Sequence, residues 1–272
     1  MPNDTQCLSG NKFIFTNKSS IIGGIISKNL WNFGDKTKDS LVNATHSYKY
    51  DSAFNVELVT VTNRGCRDSI YKIVTIRPQA KISYKFNIDS QCLKGNFYKV
   101  FNFTTIKNAT IISHSWDFGN NKFSNLYAPG VSYGQAGNYK IVYSTISNHG
   151  CHDTNIRNVS VFPQSNLSFK TNKDTQCLKG NNFQISNSSS IVSGKIANYS
   201  WYWGDGNLTS GTIATPNYKY PYDGVFVLKL VSKTDHNCLD TLSRRIIVNP
   251  QGNPDFKIDD DVQCEKNNLF IF

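Results

Sequence analysis

Seven cysteines fall into two classes that keep a common step. Cys7, Cys92, Cys177 and Cys264 each follow a glutamine, in DTQC, DSQC, DTQC and DVQC, at steps of 85, 85 and 87 residues. Cys66, Cys151 and Cys238 sit in GCRDS, GCHDT and NCLDT, at steps of 85 and 87. Trp31, Trp116 and Trp201, and the Pro-Gln pairs at Pro78, Pro163 and Pro250, hold the same register. Independent markers in one period mean a single structural unit written repeatedly along the chain. The expected units are 1–79, 80–164, 165–251 and the start of a fourth at 252–272. The first is N-terminally clipped, because it lacks the lead-in that appears later as SYKFNI, LSFKTN and DFKIDD.

Each full unit carries one cysteine of each class. There is no CxxC pair and no histidine cluster, so a disulfide is favoured over a zinc site. An even pair per unit predicts the bonds Cys7–Cys66, Cys92–Cys151 and Cys177–Cys238, with Cys264 left unpaired by truncation. Such bonds persist in oxidising compartments, which places the chain outside the cytosol. They also suit units of this length, whose cores alone leave little stability margin.

Within a unit, helical periodicity is absent and short apolar alternations recur between turn-formers. Phe13-Ile14-Phe15 and Leu30-Trp31-Asn32-Phe33 read as strands, and Phe54, Val56 and Leu58 alternate with Asn55 and Glu57. Tyr139, Ile141 and Tyr143 repeat that pattern, as do Phe226, Leu228 and Leu230. After the turn NRGCRDS, Ile73-Val74-Thr75-Ile76 forms the last strand. The expected fold is all-β: tandem Ig-like antiparallel sandwiches, each locked by one disulfide.

The stretches WNFGD, WDFGN and WYWGD, each followed by an aromatic and an alternating strand, make the resemblance specific. His46-Ser47-Tyr48 and Phe54 follow the first, Tyr133 and Gly137-Asn138-Tyr139 the second, Tyr220 and Gly224-Val225-Phe226 the third. Each unit resembles a PKD domain, the Ig-like sandwich named after polycystic kidney disease protein. Asn120 departs from the family's Asp, and Ser52 from its Gly. The cysteine-bearing form is similar to tandem PKD repeats in secreted surface proteins of Bacteroidetes, including gliding-motility adhesins of the SprB type exported by the type IX system. That resemblance implies a non-enzymatic spacer or adhesive array on the bacterial cell surface. It also implies O-glycosylation at Asp-Ser/Thr-apolar triplets, here Ser40, Ser52, Ser69 and Thr241, although a turn-capping element is the favoured reading of C-x-D-[ST].

For the motif itself, the fold accounts for every residue. Trp31 and Phe33, Trp116 and Phe118, and Trp201 and Trp203 lie two apart on a strand and face one side. Gly34, Gly119 and Gly204 permit positive φ, and Asp35, Asn120 and Asp205 cap turn amides. A carbohydrate platform would need the aromatics exposed. The resemblance leaves calcium at Asp35 and Asp205 as an alternative, since some domains of that family bind it. Calcium wants clustered carboxylates, however, the second unit has Asn120 at this position and no DxDxDG loop occurs. No metal and no cofactor are expected.

Catalysis finds no constellation either. His46, His114, His149, His152 and His236 lie in no nucleophile or metal motif. The net charge is +10, yet the basic residues are scattered without a run, so nucleic acid is not an expected partner. No stretch is long and apolar enough for a transmembrane helix. The expected partners are neighbouring repeats, with surface polysaccharide or substratum and secretion or motility machinery beyond them. The rival expectation is an accessory, carbohydrate-presenting region of a secreted polysaccharide hydrolase.

Overall fold

The computed structural model describes residues 4–258 together with 262, 265 and 266. Among the described residues all regular structure is β. The first repeat forms β1 (Thr5–Cys7), β2 (Phe13–Phe15), β3 (Ile26–Asn32), β4 (Lys38–Asp39), β5 (Ala44–His46), β6 (Ala53–Thr62) and β7 (Arg67–Arg77). The second forms β8 (Tyr84–Phe86), β9 (Ser90–Cys92), β10 (Tyr98–Asn102), β11 (Ile111–Asp117), β12 (Phe123–Ser124), β13 (Gly130–Val131), β14 (Gly137–Ser147) and β15 (His152–Phe162). The third forms β16 (Phe169–Thr171), β17 (Thr175–Cys177), β18 (Phe183–Asn187), β19 (Ile196–Tyr202), β20 (Leu208–Gly211), β21 (Asn217–Tyr218), β22 (Gly224–Thr234) and β23 (Leu239–Asn249).

Each repeat is a sandwich of a five-stranded and a smaller sheet. The larger sheets run β1-β7-β6-β3-β4, β9-β15-β14-β11-β12 and β17-β23-β22-β19-β20. The smaller ones run β8-β10-β13 and β16-β18-β21, and among the described residues of the first repeat the smaller sheet is β2-β5. The antiparallel ladder β6·β7 pairs Ala53 with Thr75 through Val61 with Arg67. At its edge the short β1 lies parallel to the end of β7, pairing Thr5 with Thr75 and Cys7 with Arg77. The third repeat copies that arrangement, Cys177 facing Asn249.

The alternation in β6 sends Phe54, Val56 and Leu58 into the core, where they meet Trp31, Phe33 and Phe13. In the third repeat Phe226, Leu228 and Leu230 meet Trp201, Trp203 and Phe183 in the same way. One inward face per strand, at period two, suffices to fill the space between two sheets.

The chain forms two compact units, one of Met1–Gln91 with Gly95–Val161, the other of Cys92–Lys94 with Phe162–Phe272. The first unit therefore holds nearly all of the first two repeats. The second takes the short segment Cys92–Lys94 alongside the third repeat.

Candidate functional site

The aromatic-glycine motif is buried in all three repeats. Trp116, Trp201 and Trp203 are wholly inaccessible, and Trp31, Phe33 and Phe118 nearly so. Each leading tryptophan donates its indole N–H to a backbone carbonyl: Trp31 to Leu41 and Trp116 to Leu126 at 3.0 Å, Trp201 to Ile213 at 3.3 Å. The tyrosine that follows the turn closes the same hydrogen bond three times. Tyr48 donates to the Phe33 carbonyl and Tyr133 to that of Phe118, both at 2.9 Å, and Tyr220 to that of Trp203 at 2.7 Å. Burial pushes these phenols above their ordinary range.

At the turn, Gly119 has φ +72°, and a Cβ there would stand 2.6 Å from the Lys140 carbonyl oxygen. Both the backbone angle and the neighbouring strand exclude a side chain. The next residue caps the turn. Asp35, Asn120 and Asp205 accept from the amides of Thr37 (3.0 Å), Lys122 (3.2 Å) and Asn207 (3.0 Å). Asp35 also accepts from the Thr37 hydroxyl and hydrogen-bonds His46 Nε2 at 2.8 Å. Asp205 accepts from the Tyr218 hydroxyl at 2.5 Å. Burial raises both carboxyls, but these hydrogen bonds outweigh it and hold them below the ordinary value. Their oxygens are engaged by side chains of their own repeat, and no group of three His, Cys, Asp or Glu gathers among the described residues.

Ser40, Ser52, Ser69 and Thr241 are all exposed. In three of the four triplets the aspartate caps the amide of the very next residue: Asp39 on Ser40 (2.6 Å), Asp68 on Ser69 (2.8 Å) and Asp240 on Thr241 (2.9 Å). Ser40, Ser69 and Thr241 are thus exposed residues whose amides are held by the preceding aspartate.

The cysteines overturn the expected pairing. The bonds are Cys7–Cys151 and Cys92–Cys238, with Cα atoms 5.6 and 5.5 Å apart. None of Cys7–Cys66, Cys92–Cys151 and Cys177–Cys238 forms, and Cys66 and Cys177 are free and exposed. The expectation of one disulfide inside each sandwich is corrected accordingly. Cys264 lies outside the described residues.

The reason is strand direction. Cys7 faces Arg77, at the far end of β7, whereas Cys66 lies in the turn that enters β7. The whole strand separates them. An 11-residue strand is roughly 36 Å long at about 3.3 Å per residue, far beyond what a disulfide spans. The end of β7 is where the chain leaves the first repeat, and there the corresponding turn of the second repeat presents Cys151.

The local chemistry holding each cysteine recurs. The glutamine before it clamps the following loop with two hydrogen bonds. Gln6 does so on Lys12 (2.9 and 2.7 Å), Gln91 on Phe97 (2.9 and 2.8 Å) and Gln176 on Asn182 (3.1 and 2.9 Å). The partner turn is equally stereotyped. Thr62, Ser147 and Thr234 donate their amides to the carbonyls of Cys66, Cys151 and Cys238 at 2.9 Å in each case. Their hydroxyls accept from those cysteines' amides at 3.1, 3.2 and 3.1 Å. The Gln-Cys pair was visible in the sequence, but the clamp that explains the glutamine was not.

Each unit also holds further contacts. Within the first unit Asp153, itself buried, accepts from the Ala80 amide at 2.8 Å. Within the second, the Ser165 and Ser232 hydroxyls are hydrogen-bonded at 2.5 Å, and Gln164 donates to the Leu239 carbonyl at 2.7 Å. The Phe162 and His236 rings stack there with centroids 3.7 Å apart. No helix among the described residues is long and apolar enough to cross a membrane.

No protein-family model matches the chain. No curated protein matches it either. Among solved structures, it is similar to the PKD1 domain of Vibrio anguillarum Epp, at 27% identity over 31% of this chain and 96% of that one, with TM-score 0.28. The PKD1 domain of the Vibrio cholerae metalloprotease PrtV matches at 26% identity over 29% and 93%, with TM-score 0.27. A structure of a 1.5-MDa bacterial ice-binding adhesin matches at 9% identity over 91% and 94%, with TM-score 0.32.

Proposed function

We propose that this chain is a structural and adhesive repeat region of a large secreted bacterial surface protein, a disulfide-linked spacer serving surface attachment or gliding motility. The units proposed are 1–79, 80–164, 165–251 and the beginning of another from 252. One observation carries the reading: the two disulfides join cysteines of successive repeats rather than closing each sandwich on itself. A bond across a junction leaves the core of either sandwich unchanged and ties neighbours together, which serves a tethering array under load. Burial of the aromatic motif supports the same reading, because those rings offer no platform for a sugar. Disulfides favour an oxidising, extracellular setting. Surface polysaccharide, a substratum, or secretion and motility machinery are the partners in keeping with such a region.

The test is removal of the segment from the parent protein, followed by attachment under flow and spreading on a surface. Reduced attachment or motility is expected. Unchanged behaviour in both assays counts against the proposal. Robust binding of individual repeats on a glycan array favours a carbohydrate-presenting region of a secreted hydrolase instead.

A further inference from the structure

Cys66 and Cys177 are exposed, yet each is built into the same local frame as a bonded cysteine. The turn around Cys66 repeats the hydrogen bonds of the turns around Cys151 and Cys238, including left-handed φ at Gly65 (83°), matching Gly150 (75°) and Asn237 (63°). Cys177 lies on β17 opposite Asn249, with its glutamine clamp closed, as Cys7 lies on β1 opposite Arg77.

The surroundings differ in exposure. Cys151 and Cys238 are 2% and 1% exposed and Asp153 is 5% exposed, whereas Cys66 and Asp68 are exposed. The first repeat thus carries, uncovered, a surface that is covered around Cys151 and Cys238.

We propose that Cys66 and Cys177 are the two open ends of a covalent ladder, each taking the complementary cysteine of another repeat of this kind. Cys177 takes the turn cysteine of a following repeat, and Cys66 takes the Gln-Cys cysteine of a preceding one. The occupant is defined by the two completed junctions: a Gly- or Asn-Cys-x-Asp turn at one end, a clamped Gln-Cys strand at the other. Forming each bond removes two protons and two electrons from two thiols. A disulfide oxidant, such as oxidised glutathione, takes them through two successive exchanges and leaves as two thiols. This inference rests on the pairing geometry and stands whether or not the region is adhesive.

The test extends the chain beyond Phe272 with a second copy of residues 186–251. Cys264 is in register with Cys177, so this completes a fourth repeat. After oxidation in a glutathione buffer, thiols are alkylated and disulfide peptides mapped by mass spectrometry. The expected result is a bond from Cys177 to the copy of Cys238, with Cys66 and Cys264 alkylated. A bond from that copy to Cys264, or alkylation of both the copy and Cys177, overturns the proposal for the following side.

A second arm does not depend on folding of the added segment. The 272-residue chain carrying Cys264→Ser is oxidised at high concentration. Random collision of exposed thiols gives the asymmetric Cys66–Cys177 product about twice as often as each symmetric one. A large excess of Cys66–Cys177 is expected, and a statistical mixture or absence of cross-links overturns the proposed docking.

Discussion

Replacing Cys7 by serine separates the two ways of pairing the cysteines more cleanly than any other single change. In this structure Cys7 is bonded to Cys151, 144 residues away, and Cys66 is free. Closing a loop of that length confines the unfolded chain by about 5 kcal/mol in the chain-entropy model, and loss of native disulfides costs about 2–5 kcal/mol in practice. The unit that contains the bond comprises Met1–Gln91 and Gly95–Val161. At roughly 2–4 °C per kcal/mol for a unit of this size, its melting midpoint falls by about 5–20 °C in Cys7→Ser. Calorimetry reads that shift. Alkylation and peptide mapping read the identity of the released thiol, which is the Cys151 sulfhydryl, while Cys66 is alkylated in parent and variant alike. If Cys66 instead becomes newly reactive and Cys151 stays protected, the strand-direction argument fails. An unchanged midpoint would remove the energetic half of it.

The bonds overlap along the chain, so in force spectroscopy the stretch from Cys7 to Cys238 extends only through the 59 residues between Cys92 and Cys151. That is about 200 Å of fully extended chain, rising to about 800 Å once reductant frees all 231 residues. Gly119→Ala places a Cβ 2.6 Å from the Lys140 carbonyl at φ +72° and costs about 2–4 kcal/mol by chemical denaturation. Gly180→Ala, at φ +79° with nothing within 4 Å, costs only about 1–2 kcal/mol. Asp35, Asp174 and Asp205 all have folded-state values below the ordinary carboxylate, Asp174 chiefly through its Arg244 hydrogen bonds. Their stabilisation is complete above about pH 4 and is lost as pH falls through the folded values. Asp35→Asn and Asp205→Asn keep a cap of the Asn120 type and lose that titration. Their melting midpoints therefore decline less steeply with acid than the parent's.

Much of the fold was legible because it follows from short-range physics. A period of two in Phe54, Val56 and Leu58 forces a half-buried strand, and repetition of the pattern 85 residues later forces a second sandwich. The WxFG turn could be read from residue chemistry alone, since a glycine directly after two inward aromatics marks a backbone position with positive φ that other residues rarely adopt. The acid's partner was not legible. Nothing local in the sequence says that Asp35 meets His46 and Asp205 meets Tyr218, because those contacts arise only when the turn folds over the smaller sheet's strands.

The pairing of cysteines shows where sequence runs out. Residue order alone established the repeat, the two cysteine classes and an all-β chain, because periodicity and side-chain alternation are properties of order. Yet one cysteine of each class per repeat is equally compatible with bonds within repeats and with bonds between neighbours. Only the direction of β1, parallel to the last strand rather than beside its entry turn, decides between them. That direction is set by backbone pairing at the sheet edge and by the length of an 11-residue strand, which carries Cys7 away from Cys66 and to Cys151.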